Sequence, residues 1–109
     1  MDRITTTIER QWLADIITGE KRVEYRQMKP YWRRRLAAVS VPFELRLING
    51  MQKDAPEATV LVDRVRANSA DRQYELHIAK ILAVSNCDKR RRQPRVSSRR
   101  RASMALGAG

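Results

Sequence analysis

The sequence predicts a small α+β domain, a five-stranded, partly closed β-barrel capped by one amphipathic helix. Three observations lead there. Five short segments either alternate apolar and polar residues or are rich in β-branched ones, the pattern of strands. One segment, 9–18, repeats apolar residues at helical spacing. The last three strands are separated only by turn-forming stretches, so an antiparallel meander is expected.

The elements follow in order. Arg3-Ile4-Thr5-Thr6-Thr7-Ile8 is dominated by side chains stiff at χ1 that fit a pleated surface, and reads as a strand. Over Glu9–Thr18, Trp12, Leu13, Ile16 and Ile17 make one apolar stripe, which places Trp12 in the core. Thr7 is the expected N-cap, and Gly19 falls where a C-cap glycine belongs. Lys21–Arg26 is a short strand, with Val23 and Tyr25 on one face and Arg22, Glu24 and Arg26 on the other. Pro30 opens a second helix to Ala38, because proline is tolerated in a first helical turn. Phe43–Ile48 alternates as a strand, and Asn49-Gly50 starts a loop through Pro56. Ala58–Arg66 is the next strand, Asn68–Asp71 a turn, and Gln73–Val84 the last strand, with Tyr74, Leu76, Ile78, Leu82 and Val84 expected on one face.

The 109 residues allow one domain with a modest core. The single cysteine, Cys87, excludes an internal disulfide framework. No apolar run approaches the roughly 20 residues of a membrane helix, and Met1–Arg10 lacks the apolar stretch of a secretory signal. A reducing cytoplasm is the expected compartment, with no membrane association. The net charge of +11 is unevenly placed. Residues 1–88 carry 15 basic and all 12 acidic residues, a surplus of only +3. Residues 89–109 carry 8 basic residues, no acids, and few large apolar side chains. That composition predicts a disordered tail whose segment 89–101 holds nucleic acid non-specifically. The boundary therefore falls between a domain at 1–88 and an Arg-rich tail.

The segment Gly19-Glu20-Lys21-Arg22-Val23-Glu24-Tyr25-Arg26 follows the first helix. It resembles the G-x-K-x-x-E-x-R signature of the ASCH domain family, and Gly19, Lys21, Glu24 and Arg26 match all four signature positions. Lys29-Pro30-Tyr31-Trp32, the Asn49-Gly50 turn and the closing Ile78–Val84 strand also resemble small bacterial and phage-type members, so the likeness spans about residues 3–88. It implies a PUA-like barrel with a cleft lined by the signature, and a role in RNA metabolism: RNA or nucleotide binding, ribonuclease action, or hydrolysis of an acetylated cytidine. In the amidohydrolase relative the signature lysine is catalytic, but its partner is a threonine where this chain has Glu24. This chain also has Cys87 where that branch often has an aromatic residue.

The residues themselves allow several chemistries. Lys21 and Glu24 can meet if the chain bends after Gly19. As a pair they could serve in catalysis, with a lysine base and a water-activating glutamate. Alternatively, with Arg26, they form an ion-pair network that orients the strand and binds phosphate. Arg26 and the run Arg33-Arg34-Arg35, with Tyr31 and Trp32, combine guanidinium clamps with stacking platforms for unpaired bases. Trp32 could equally be core, and the arginines a solvated helix face. Asn49 could read a base edge or simply shape its turn. Asp63 is expected in an ion pair with a neighbouring arginine. His77, the lone histidine, reads as a surface strand residue, so no metal site and no cofactor are expected. The candidate set is Lys21 and Glu24 for catalysis, and Gly19, Arg26, Tyr31, Trp32, Arg33 and Asn49 for ligand binding. The alternatives to RNA binding are a small hydrolase using Lys21 and a phage-type interaction module docking through Pro30–Leu36.

Overall fold

Alternation in Phe43–Ile48 buries Phe43, Leu45 and Leu47 and turns Glu44, Arg46 and Ile48 outward, as the spacing predicts. In the computed structural model, which describes residues 1–87, this segment is one strand of a five-stranded mixed sheet. The Arg-rich tail, with its expected disorder and nucleic-acid contacts at 89–101, lies outside the described residues.

The elements are β1 (Arg3–Thr7), α1 (Arg10–Thr18), β2 (Val23–Gln27), α2 (Pro30–Ala37), β3 (Phe43–Ile48), β4 (Glu57–Asn68) and β5 (Gln73–Ser85). The strand order is β1-β3-β4-β5-β2. β3, β4 and β5 form the expected antiparallel meander, β1 joins β3 in parallel, and β2 joins β5 antiparallel. The sheet curls into a half-barrel. Register shifts between β4 and β5 at Thr59/Val60, Leu61/Val62 and Val62/Arg64 contribute to the curl, because bulges bend and over-twist a strand.

Those shifts correct one expectation. Leu82 and Val84 do not continue the inward face of Leu76; two register shifts lie between Leu76 and Leu82, the third falls at Leu82 itself, and both side chains are exposed. Asp63 falls at a shift and is exposed, with no ion pair to a neighbouring arginine among the described residues.

The core is Ile4 of β1, the inward residues of β3, Val60 and Val62 of β4 and Leu76 of β5. Leu13 and Ile16 of α1 and Trp32 of α2 complete it. Thr7 is not the N-cap of α1. The Ile8 N–H bonds the Ile48 carbonyl at 3.0 Å, so pairing with β3 holds the chain extended for one more residue. The cap is Glu9, whose carbonyl accepts from the Leu13 N–H and whose carboxylate makes no capping bond. Gly19 ends the helix as expected, at φ 89°.

Candidate functional site

β1 and β2 follow one another in sequence but occupy opposite edges of the sheet. The curl brings those edges toward each other, and Arg26 spans them. Its guanidinium donates to the Thr7 carbonyl on β1 at 2.9 Å and reaches the Thr6 hydroxyl at 3.4 Å. On β2, its Nε lies 2.8 Å and its terminal nitrogen 2.6 Å from Glu24 Oε2. Glu24 is 5 % exposed, so its charge is held in a largely desolvated place and needs this partner.

Lys21 is the second partner. The glycine turn of α1 brings the Lys21 N–H back to the Asp15 carbonyl at 3.0 Å, which fixes where its side chain starts. The ammonium donates to the Val23 carbonyl at 2.7 Å and stands 3.5 Å from Glu24 Oε1. It also lies over the rings of Trp12 and Tyr25, at 5.2 and 5.0 Å. The chain therefore does bend after Gly19, and Lys21, Glu24 and Arg26 form one ion-pair network.

Above this network lies a cavity of about 780 Å³, within the usual range for small-molecule sites. Glu24 and Arg26 form part of its wall, and four aromatic side chains contribute to it: Trp12, Tyr25, Tyr31 and Trp32. Trp32 is buried, with the Arg26 guanidinium 5.1 Å from its ring and Tyr31 set edge-on to it at 5.8 Å. It is thus core and cavity wall at once. Trp12 is the clear correction: it is 47 % exposed and walls the cavity rather than filling the core. The nine-residue α1 seats Leu13 and Ile16 inward, and Trp12, about 100° from Leu13 and about 40° from Ile16 around the helix, falls at the edge of that stripe and reaches the lip.

Asn49 also faces the cavity. Its side-chain N–H₂ donates to the Ile8 carbonyl at 3.0 Å and its backbone N–H to the Pro56 carbonyl at 2.8 Å, so it ties the β3–β4 loop to the end of β1. A second depression of about 700 Å³, walled by Arg10, Gly50 and Lys53 among others, adjoins it at Asn49.

Gly19, Lys21 and Arg33 lie outside the wall of the first cavity. Gly19 shapes the turn, and Arg33 and Arg34 are exposed. Arg35 lies over Tyr31 at 5.5 Å and donates to the Thr5 carbonyl at 3.2 Å. Trp32 and Leu36 turn into the core, so Tyr31 is the one large exposed side chain of an uncharged residue in Pro30–Leu36. The wall also contains Trp12, Tyr25 and Lys29, which were not among the sequence candidates. Tyr25 and Lys29 flank signature-region residues already singled out, and that proximity was the available signal.

No family model, curated protein or solved structure matches this chain. The site is therefore characterised by its own chemistry. It offers flat apolar rings for stacking and a buried, paired carboxylate for directional hydrogen bonding. Lys29, exposed at the rim and without a side-chain partner among the described residues, adds a positive charge.

Two further ion pairs bridge neighbouring strands of the meander. Arg46 and Glu57 meet in a two-bond fork at 2.9 and 2.8 Å across β3 and β4. The Arg46 hydrogen bonds hold the Glu57 carboxyl below the usual carboxylate range. Arg66 does the same for Glu75, which also lies 3.5 Å from the half-buried His77. Among the described residues, no group of three or more His, Cys, Asp or Glu is placed to hold a metal ion, and no helix is long and apolar enough to cross a membrane.

Proposed function

We propose that this chain binds RNA or a nucleotide in the aromatic cavity, as a small ASCH-like domain of PUA-like build acting in cytoplasmic RNA metabolism. The observation that carries the reading is the meeting of four aromatic rings with the Glu24–Arg26 pair around one cavity. Flat rings bind bases through their π-faces, and each stacked base contributes about 1–3 kcal/mol. A buried carboxylate adds a hydrogen-bonding group that rings lack.

Binding is better supported than hydrolysis by Lys21. That ammonium is engaged by the Val23 carbonyl, by Glu24 and by two rings, and it lies outside the cavity wall. Arg26 is similarly committed to Glu24, Thr6 and Thr7, so Lys29 is the better candidate for a phosphate.

The test is a tryptophan-fluorescence titration of the full chain with short single-stranded RNA and nucleoside monophosphates at about 0.3 M salt, where purely electrostatic attachment is strongly weakened. Saturable binding is expected, and Trp12→Ala should weaken it about tenfold or more while costing about 1 kcal/mol of stability or less. Equal affinity of wild type and Trp12→Ala would reject the cavity as the site.

A further inference from the structure

The polar groups of the cavity are unequal in what they can still offer. Two of its donor groups are already used within the protein, while Lys29 at the rim is not. Arg26 directs its guanidinium to Glu24, Thr7 and Thr6, and Asn49 directs its amide N–H₂ to the Ile8 carbonyl. Acceptors are less used. An ionised carboxylate has about four acceptor positions, two on each oxygen, and the Nε and a terminal N–H of Arg26 fill both on Glu24 Oε2, which leaves Oε1 as the oxygen with capacity. Lys21 stands 3.5 Å from Oε1, a charge contact rather than a short hydrogen bond, while its closer bond of 2.7 Å goes to Val23. Asn49 Oδ1 accepts no hydrogen bond among the described residues.

The rings are also not neutral platforms. Each of the four already has a cation near one face: Lys21 for Trp12 and Tyr25, Arg26 for Trp32, Arg35 for Tyr31. Lys21 and Arg35 lie outside the cavity wall, whereas the three rings they contact form part of it. A cation on one face draws electron density away from the other. Such a ring stacks best on an electron-rich, uncharged partner and poorly on a cationic one.

Resting on the nucleotide reading of this cavity, we infer that it selects an uncharged guanine base, whose N1–H and N2–H₂ donors converge on Oε1 of the Glu24 carboxylate. Two adjacent donors on the pairing edge can share the two acceptor positions of one carboxylate oxygen. Adenine and cytosine place a ring-nitrogen acceptor beside their amino group, and uracil flanks its single N–H with two carbonyls, so each turns a lone pair toward Glu24. Guanine is also the most electron-rich of the four bases.

The test titrates the full chain at about 0.3 M salt with the 5′-monophosphates of guanosine, inosine, adenosine, cytidine, uridine and 7-methylguanosine. Guanosine monophosphate should bind tightest. Inosine, which lacks only the 2-amino group, should bind about tenfold more weakly. The 7-methylguanosine nucleotide, titrated in mildly acidic buffer so that its N1 stays protonated, keeps both donors but carries a positive ring, and should also lose about tenfold. Glu24→Gln should bring guanosine and inosine nucleotides to within about twofold of each other. The ligand series needs no variant, so it decides the question even if that substitution unfolds the protein. Equal affinity for guanosine and inosine nucleotides, or tighter binding of the methylated one, overturns the inference. Binding of all the nucleotides without preference overturns it while leaving nucleotide binding intact, and binding of none overturns both.

Discussion

The Arg26 guanidinium on β2 donates to the Thr7 carbonyl on β1, so one side chain joins the two edges of an open sheet. The same group neutralises Glu24, which is 5 % exposed. Arg26→Ala would open the seam and leave that carboxylate with Lys21 alone. The expected cost is about 3 kcal/mol, read from urea denaturation. Adding Glu24→Gln should recover part of the loss, because the stranded charge is then gone. Arg26→Lys should rescue little, since an ammonium lacks the planar fork that serves both strands.

The two tryptophans of the cavity should separate binding from stability. Trp32 is 7 % exposed and packs in the core, so Trp32→Ala should cost about 3–5 kcal/mol. Trp12 is 47 % exposed, so Trp12→Ala should cost about 1 kcal/mol or less, mostly from its contact with Lys21. Melting curves and nucleotide titrations on the same two variants check the contrast.

Gly19 should behave as a backbone residue only. At φ 89° it adopts a left-handed conformation, and a Cβ there would meet no atom within 4 Å. Gly19→Ala should therefore cost about 1–2 kcal/mol through conformation alone. Nucleotide affinity at a temperature where the variant is fully folded should stay within about twofold of wild type.

The Arg46–Glu57 fork predicts a pH dependence with a definite sign. The folded state holds the Glu57 carboxyl below its ordinary value of about 4.3. A depressed carboxyl contributes stability that is fully present above the unfolded pKa and is lost as pH falls through the folded one. The stability gap between wild type and Glu57→Gln should be constant from about pH 6 to 8 and should shrink below about pH 4. Denaturation at several pH values measures it.

Local patterns carried most of the element order. The β-branched run at 3–8, the alternation at 43–48 and the glycine after Thr18 each encode their element through side-chain shape or backbone freedom, and each matches the structure. Trp12 and Thr7 were misread for a common reason. Both lie where tertiary partners intervene, Trp12 because of how α1 seats Leu13 and Ile16, and Thr7 because pairing with β3 runs on to Ile8. Leu82 and Val84 were misplaced because periodicity cannot register a bulge. Of the site, the Lys21–Glu24–Arg26 network was legible from its spacing. Its closure against Thr6 and Thr7 was not, since it depends on where two edges of a curled sheet arrive.

The strand order has a consequence for synthesis on the ribosome. All four aromatic residues of the cavity emerge within the first third of the chain. Yet β2 takes its place in the sheet by pairing with β5, the last strand to be made. A nascent chain therefore displays its rings early but lacks the framework that fixes Glu24 and Arg26 until residues 73–85 have emerged. The seam that Arg26 closes is therefore a property of finished molecules and is missing from a nascent chain that has not yet reached β5.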